Sequence, residues 1–158
     1  PLIDLDRWLE HQVGQSLWDF LQREGEDKLR YMETELLVKS LSNSPCGLII
    51  AGEGVLAQAA NRRLIKERAA LAYLSLPPTA AYWELRRQIG EGGPRLHPNV
   101  PYPLVQFAQL RPLLDALEEA KKGADWICAV ENKPVQEVLA QLFAALPNLG
   151  KTDQGQGV

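Results

Sequence analysis

The stretch Cys46-Gly47-Leu48-Ile49-Ile50-Ala51-Gly52-Glu53-Gly54-Val55-Leu56, CGLIIAGEGVL, runs an apolar segment into two glycines and then resumes an apolar pattern. A short apolar run stopped by glycine reads as a buried strand, and the residues after it as the start of a helix. Glycines at such a junction let backbone approach a ligand, commonly an anion held by the helix N-terminus. Glu53 puts a carboxylate between them. It is expected to occupy the anion position itself, or to repel an anionic ligand, and to stabilise the helix by about 0.3–1 kcal/mol through the helix dipole.

Working outward, the chain alternates strands and helices. Upstream, Pro1-Leu2-Ile3-Asp4-Leu5-Asp6 reads as a strand delivering acids to its C-terminal end. Two short helices, Arg7 to Val13 and Ser16 to Glu24, are split by Gly14, with Ser16 and Asp19 forming a capping pattern and Gly25 a stop. A longer helix runs from about Glu26 to Leu41. Downstream, a helix is expected from Val55 to Arg68, a strand from Ala70 to Leu76 and a helix from Pro77 to Ile89. The glycine- and proline-rich stretch Gly90 to Pro103 excludes a regular element and reads as a lid-like loop. Leu104 to Lys122 is expected as helix, Trp126 to Val130 as strand and Pro134 to Leu146 as helix. The domain is therefore placed at residues 1–146, with a loose polar tail at 147–158.

This alternation predicts an α/β fold of three layers, a mainly parallel sheet with helices on both faces. Ligands in such sheets bind at the carboxyl ends of the strands, where Asp4, Asp6 and Gly52 to Gly54 would gather. With 17 basic and 20 acidic residues mixed along 158 positions, no basic face marks a nucleic-acid partner. No apolar run is long enough to span a bilayer, so no membrane partner is expected and the cytoplasm is the expected location, or a plastid in a plant. Cys46 and Cys128 sit in or beside apolar runs as small hydrophobes, and need no disulfide. His11 and His97 have no ligand companions at metal-binding spacing, and Trp8, Trp18, Trp83 and Trp126 read as core or groove packing.

Together these segments resemble the shikimate kinase family, a branch of the P-loop nucleoside-monophosphate-kinase-like fold. PLIDLD is similar to the family's second strand with its Asp-x-Asp. The resemblance implies that Asp4 helps organise Mg²⁺ and that Asp6 binds the acceptor hydroxyls of shikimate and orients them for catalysis. REGEDKLRYMETELL is similar to the helix Gly-Glu-x-x-Phe-Arg-x-x-Glu, which assigns Arg30 to the shikimate carboxylate and Glu33 to the acid one turn later, with Leu29 at the phenylalanine. LIIAGEGVL resembles the strand and triple-glycine turn, so Gly52 and Gly54 would cradle shikimate while Glu53 replaces the middle glycine. Arg95 is the shifted counterpart of the lid arginine that contacts ATP and screens phosphate charge. Arg111 stands one residue out of register with a second arginine for the carboxylate, and one residue turns a helical side chain by about 100°.

The family's first strand and its Walker A loop, Gly-x-x-x-x-Gly-Lys-Ser/Thr, belong ahead of PLIDLD and are not among the 158 residues. The Gly150-Lys151-Thr152 run has Ala145 where the first glycine is required. In the family that strand is the centre of a five-stranded parallel sheet ordered 2-3-1-4-5. Phosphoryl transfer depends on positioning the phosphates. The first expectation is therefore a non-catalytic shikimate-kinase-like domain with a ligand-binding, regulatory or interaction role. It would bind a shikimate-like carboxylate, and a second copy or a partner protein would complete its sheet. The alternative is a divergent shikimate kinase whose P-loop lies upstream, using ATP and Mg²⁺ to phosphorylate the shikimate 3-hydroxyl. Plainer readings stand beside both. Asp4 and Asp6 could cap the following helix, Arg30 and Glu33 could form an exposed ion pair, and the basic run Arg62 to Arg68 could be a solvated helix end.

Overall fold

The computed structural model of the protein describes residues 1–43, 47–90 and 106–149. Strands β1 (Leu2–Asp4) and β2 (Leu48–Ile50) pair in parallel, with Leu2 opposite Leu48 and Ile3 opposite Ile49. Strands β3 (Ala72–Ser75) and β4 (Trp126–Ala129) form a second parallel pair, with Tyr73 opposite Ile127 and Leu74 opposite Cys128. Between β1 and β2 come helices α1 (Leu5–Val13), α2 (Leu17–Glu24) and α3 (Glu26–Asn43). Between β2 and β3 come α4 (Glu53–Ala57) and α5 (Ala59–Arg68). Helix α6 (Pro78–Gly90) and α7 (Arg111–Lys122) lie between β3 and β4, and α8 (Val135–Ala145) follows.

The helix boundaries follow local chemistry. Asp4 takes an extended conformation and accepts the Arg7 backbone N–H at 3.2 Å, so it caps α1. The expected strand therefore ends two residues early, and Asp6 stands in the first turn of α1. Ser16 caps α2 by accepting the Asp19 N–H at 3.1 Å, and Gly25, at φ 86°, allows the turn into α3. Helix α3 buries Leu29, Glu33, Leu36, Leu37 and Ser40 along one stripe.

The helix expected over Val55 to Arg68 begins at Glu53 and is broken at Gln58, which is extended. The carbonyls at the end of α4 are taken by side chains from α5. Buried Asn61 donates to the Val55 carbonyl, and the Arg62 Nη1 donates to those of Leu56 and Ala57 at 2.9 and 2.7 Å. The helix expected from Leu104 becomes a 3₁₀ turn at Phe107–Leu110, and α7 starts only at Arg111, with Pro112 in its first turn where the missing N–H costs nothing.

One core joins both strand pairs. Ile3, Ile49 and Tyr73 pack against buried Leu5, Leu9, Leu37 and Val55, while Leu117 and Ala120 bring α7 to the same cluster. On the opposite face, α8 lies against β4, where the buried Cys128 thiol meets Gln141 Oε1 at 3.2 Å. Helices thus pack on both faces, and the described residues form the expected α/β arrangement with its strands paired in parallel.

Strands β2 and β3 do not pair with each other, so each has an open edge among the described residues. The side chains that alternate with the core-facing ones are uncovered: Leu2 is 65%, Leu48 45%, Ile50 47% and Leu74 54% exposed. None of the four tryptophans belongs to the buried core, and Trp83 is 66% exposed, so the packing role expected for it is not met within these residues.

Candidate functional site at the carboxyl ends of the strands

Both β1 and β2 run toward the same edge, and the residues that follow them meet there. Gly52 is the extended N-cap residue of α4, and a Cβ placed on it would lie 2.9 Å from Asp6 Oδ2 and 3.1 Å from Oδ1. The Asp6 carboxylate therefore rests on the Gly52 backbone, and only glycine admits that approach. Of the residues singled out in the sequence, this pair is brought together most directly. Gly54 is buried inside α4.

Glu53 begins α4, the position at which an acid favours the helix dipole. It also lies close to Tyr73 of β3. Burial pushes the Tyr73 phenol above its ordinary pKa of 10.0, and the charges of Glu118 and Glu53 push it further in the same direction.

Arg30 is held on α3 by its own helix. Its Nη1 donates to both Glu33 oxygens, at 2.9 and 2.7 Å, and its Nε and Nη2 reach Glu26 Oε1 at 3.3 Å. The side chain of Arg30 is 16% exposed and that of Glu33 only 2%, so this is not the exposed ion pair of the plainer reading. The guanidinium is fixed by paired carboxylates and keeps a small window to solvent. Gln58 Nε2 donates to the Arg30 carbonyl at 3.4 Å, tying α3 to the far end of α4, the helix that Gly52 starts. Glu26 escaped the sequence reading as a partner for Arg30, although its i, i+4 spacing signalled it. Gln58 left no such signal, because its role depends on a tertiary break.

The other candidates stand apart. Arg111, at the start of α7, is exposed and lies 3.8 Å from exposed Asp115. The Asp4 carboxylate is engaged by Arg7, through the backbone N–H and a 3.7 Å contact with the guanidinium. No cluster of three metal-ligating side chains occurs among the described residues. Arg95, His97, Cys46 and the Gly150-Lys151-Thr152 run lie outside the described residues.

Among the described residues no helix is long and apolar enough to cross a membrane. The family model for shikimate kinase matches residues 1–146. A shikimate kinase of Paracidovorax citrulli is 32% identical over 87 residues, 54% of this chain and 48% of that protein, so the chain spans about half that relative's length. One from Streptococcus thermophilus is 27% identical over 138 residues, 86% of this chain and 81% of the relative. Among solved structures, shikimate kinase from Acinetobacter baumannii in complex with shikimate superposes with a TM-score of 0.72 at 25% identity, covering 93% of this chain and 78% of that one. With the family matched across nearly the whole chain and the fold matched by its solved members, the chain belongs to the shikimate kinase family.

Proposed function

We propose that these residues form the acceptor-binding part of a shikimate kinase of the cytoplasm, which transfers the γ-phosphoryl group of ATP to the shikimate 3-hydroxyl. The observation that carries the reading is the Asp6 carboxylate resting on Gly52 at the carboxyl edge, inside a chain that the family matches over residues 1–146. Asp6 accepts a hydrogen bond from the acceptor hydroxyl and draws off its proton as the phosphoryl arrives. Arg30, oriented by Glu33 and Glu26, offers its exposed window to the acceptor carboxylate. Arg111 adds a second cation only if it leaves Asp115, and Arg95 supplies charge to the phosphates.

The described residues fit the acceptor better than the nucleotide. They hold no phosphate-cradling glycine loop, and Asp4, the acid assigned to Mg²⁺, is occupied as a helix cap. Nucleotide binding on this reading is supplied by a strand and P-loop from outside the 158 residues. That strand enters between β2 and β3, whose edges are open. This reading is favoured over the non-catalytic domain because every relative reported above is named as a kinase. A second reading, that another polypeptide or a second copy supplies the strand, draws on the uncovered Leu48, Ile50 and Leu74.

The test compares the 158-residue protein with the same protein preceded by the residues encoded upstream of Pro1. Turnover of ATP–Mg²⁺ and shikimate is expected from the longer form alone and is lost in its Asp6→Asn variant. No turnover from a folded longer form carrying a Walker A loop overturns the proposal. Activity gained only when a separate protein is added supports the second reading.

A further inference from the structure

The basic run of α5 has a use that a solvated helix end does not explain. Ala59, Arg62, Arg63 and Lys66 recur at i, i+3, i+4 and i+7, the spacing of one helix face, and that face lines a cavity of about 280 Å³. Across the cavity stand Glu119 and Ala120 of α7, with Leu71 and Asp125 just ahead of β3 and β4. It therefore opens at the amino edge of the strands, opposite the edge that holds Asp6 and Gly52.

The charges do not cancel. Asp125 Oδ2 accepts the Leu71 backbone N–H at 2.7 Å. Glu119 accepts a hydrogen bond from Lys122 at 2.7 Å, which holds its carboxyl below the usual range, and the charge of Arg62 lowers it further. Arg62 is committed to the carbonyls that end α4. Arg63 and Lys66 carry no ion pair or hydrogen bond among the described residues. Two cations with no partner among the described residues thus border a small cavity whose wall also holds the engaged Arg62, Glu119 and Asp125 and the apolar Ile65, Leu71 and Ala120. Concave sites that combine apolar lining with a few convergent polar groups are the usual form of a small-molecule site.

We propose that this cavity binds a small carboxylate with an apolar body, its charge against Arg63 and Lys66 and its body against Ile65, Leu71 and Ala120. The site is separate from the acceptor site and does not rest on the kinase reading. Benzoate is the probe, titrated into the 158-residue protein and followed by amide NMR. Saturable shifts are expected at Ala59, Arg63, Lys66, Leu71 and Gly123, with weaker binding of benzyl alcohol, which lacks the charge, and of inorganic phosphate, which lacks the apolar body. Each charge-assisted contact is worth enough that Arg63→Ala with Lys66→Ala should weaken benzoate by about tenfold or more. Both side chains are exposed, so the fold should survive, and Arg63→Lys with Lys66→Arg should keep binding. Shifts confined to the neighbourhood of Arg30 and Gly52, equal binding of benzyl alcohol, or undiminished affinity in the double alanine variant would each overturn the proposal.

Discussion

Neighbouring residues of the same strands meet opposite fates in this molecule. Ile3, Ile49 and Tyr73 turn to a face roofed by α1, α3, α4 and α7, whereas Leu2, Leu48, Ile50 and Leu74, one residue away, turn to a face that, among the described residues, is roofed only at β4 by α8. The side chains are equally apolar on the two sides, and a strand's alternation gives both the same local propensity. What differs is whether a helix crosses back over them. A parallel connection needs a crossover, and helices of the crossovers from β1 to β2, β2 to β3 and β3 to β4 pack on the one core face. Among the described residues, the apolar side chains on the other face are left uncovered.

The sharpest way to break that comparison lies beneath the covered face. Glu33 is 2% exposed and makes the two shortest hydrogen bonds to Arg30, so Glu33→Ala takes these from a mostly buried guanidinium that keeps Glu26 at 3.3 Å, and a loss of up to about 3–5 kcal/mol is expected in urea unfolding. A loss below 1 kcal/mol would mean that Arg30 swings to solvent, and that the pair does not position it.

Next in size come matched leucine truncations. Leu37, 1% exposed on the covered face, should cost about 2–5 kcal/mol as Leu37→Ala. Leu74, 54% exposed, should change stability by no more than about 0.5 kcal/mol as Leu74→Ala in the 158-residue protein. In the protein lengthened upstream, Leu74→Ala should approach the cost of Leu37→Ala. Equal costs in the short form would show that the second face is already covered.

The same contrast explains what could be read from the residues alone. The order of strands and helices was legible because each apolar run is short and bounded by glycine, proline or a capping residue such as Ser16. The carboxyl-edge pairing of Asp6 with Gly52 followed from the parallel sheet. Two features were not legible, since each is set by tertiary contact: Gln58 breaks the helix where Asn61 and Arg62 reach back for carbonyls, and the Arg30 and Glu33 pair is buried. The Asp4 cap, a local contact three residues long, was among the plainer readings of the residues. Trp83 was misjudged for a related reason, since apolar character does not say whether a covering element is present.

Gly52→Ala tests the edge itself at a smaller scale. The added Cβ meets the Asp6 carboxylate at 2.9 Å, so Asp6 must turn away, at a cost of about 1 kcal/mol because the obstacle is a side-chain end rather than backbone. Binding of shikimate to the lengthened protein should fall by more than this stability loss implies, since the displaced group is the one assigned to the acceptor. An affinity loss no larger than that of a distant surface variant would remove Asp6 from the site.

The smallest effect separates burial from surface charge. Tyr73 and Tyr31 both have phenols held above 10.0, Tyr73 chiefly by burial and Tyr31 by a hydrogen bond to exposed Glu35. A raised folded-state pKa contributes stability that is fully present below the unfolded value of 10.0 and is lost as pH rises through the folded value. Stability should therefore begin to fall above pH 10.0, and Tyr73→Phe should flatten part of that decline. Salt screens exposed charges far more than buried groups, so the contribution of Tyr31 should fade at high ionic strength while that of Tyr73 persists. If Tyr73→Phe leaves the alkaline decline unchanged at both salt concentrations, Tyr73 is as open to water as the uncovered leucines of the other face.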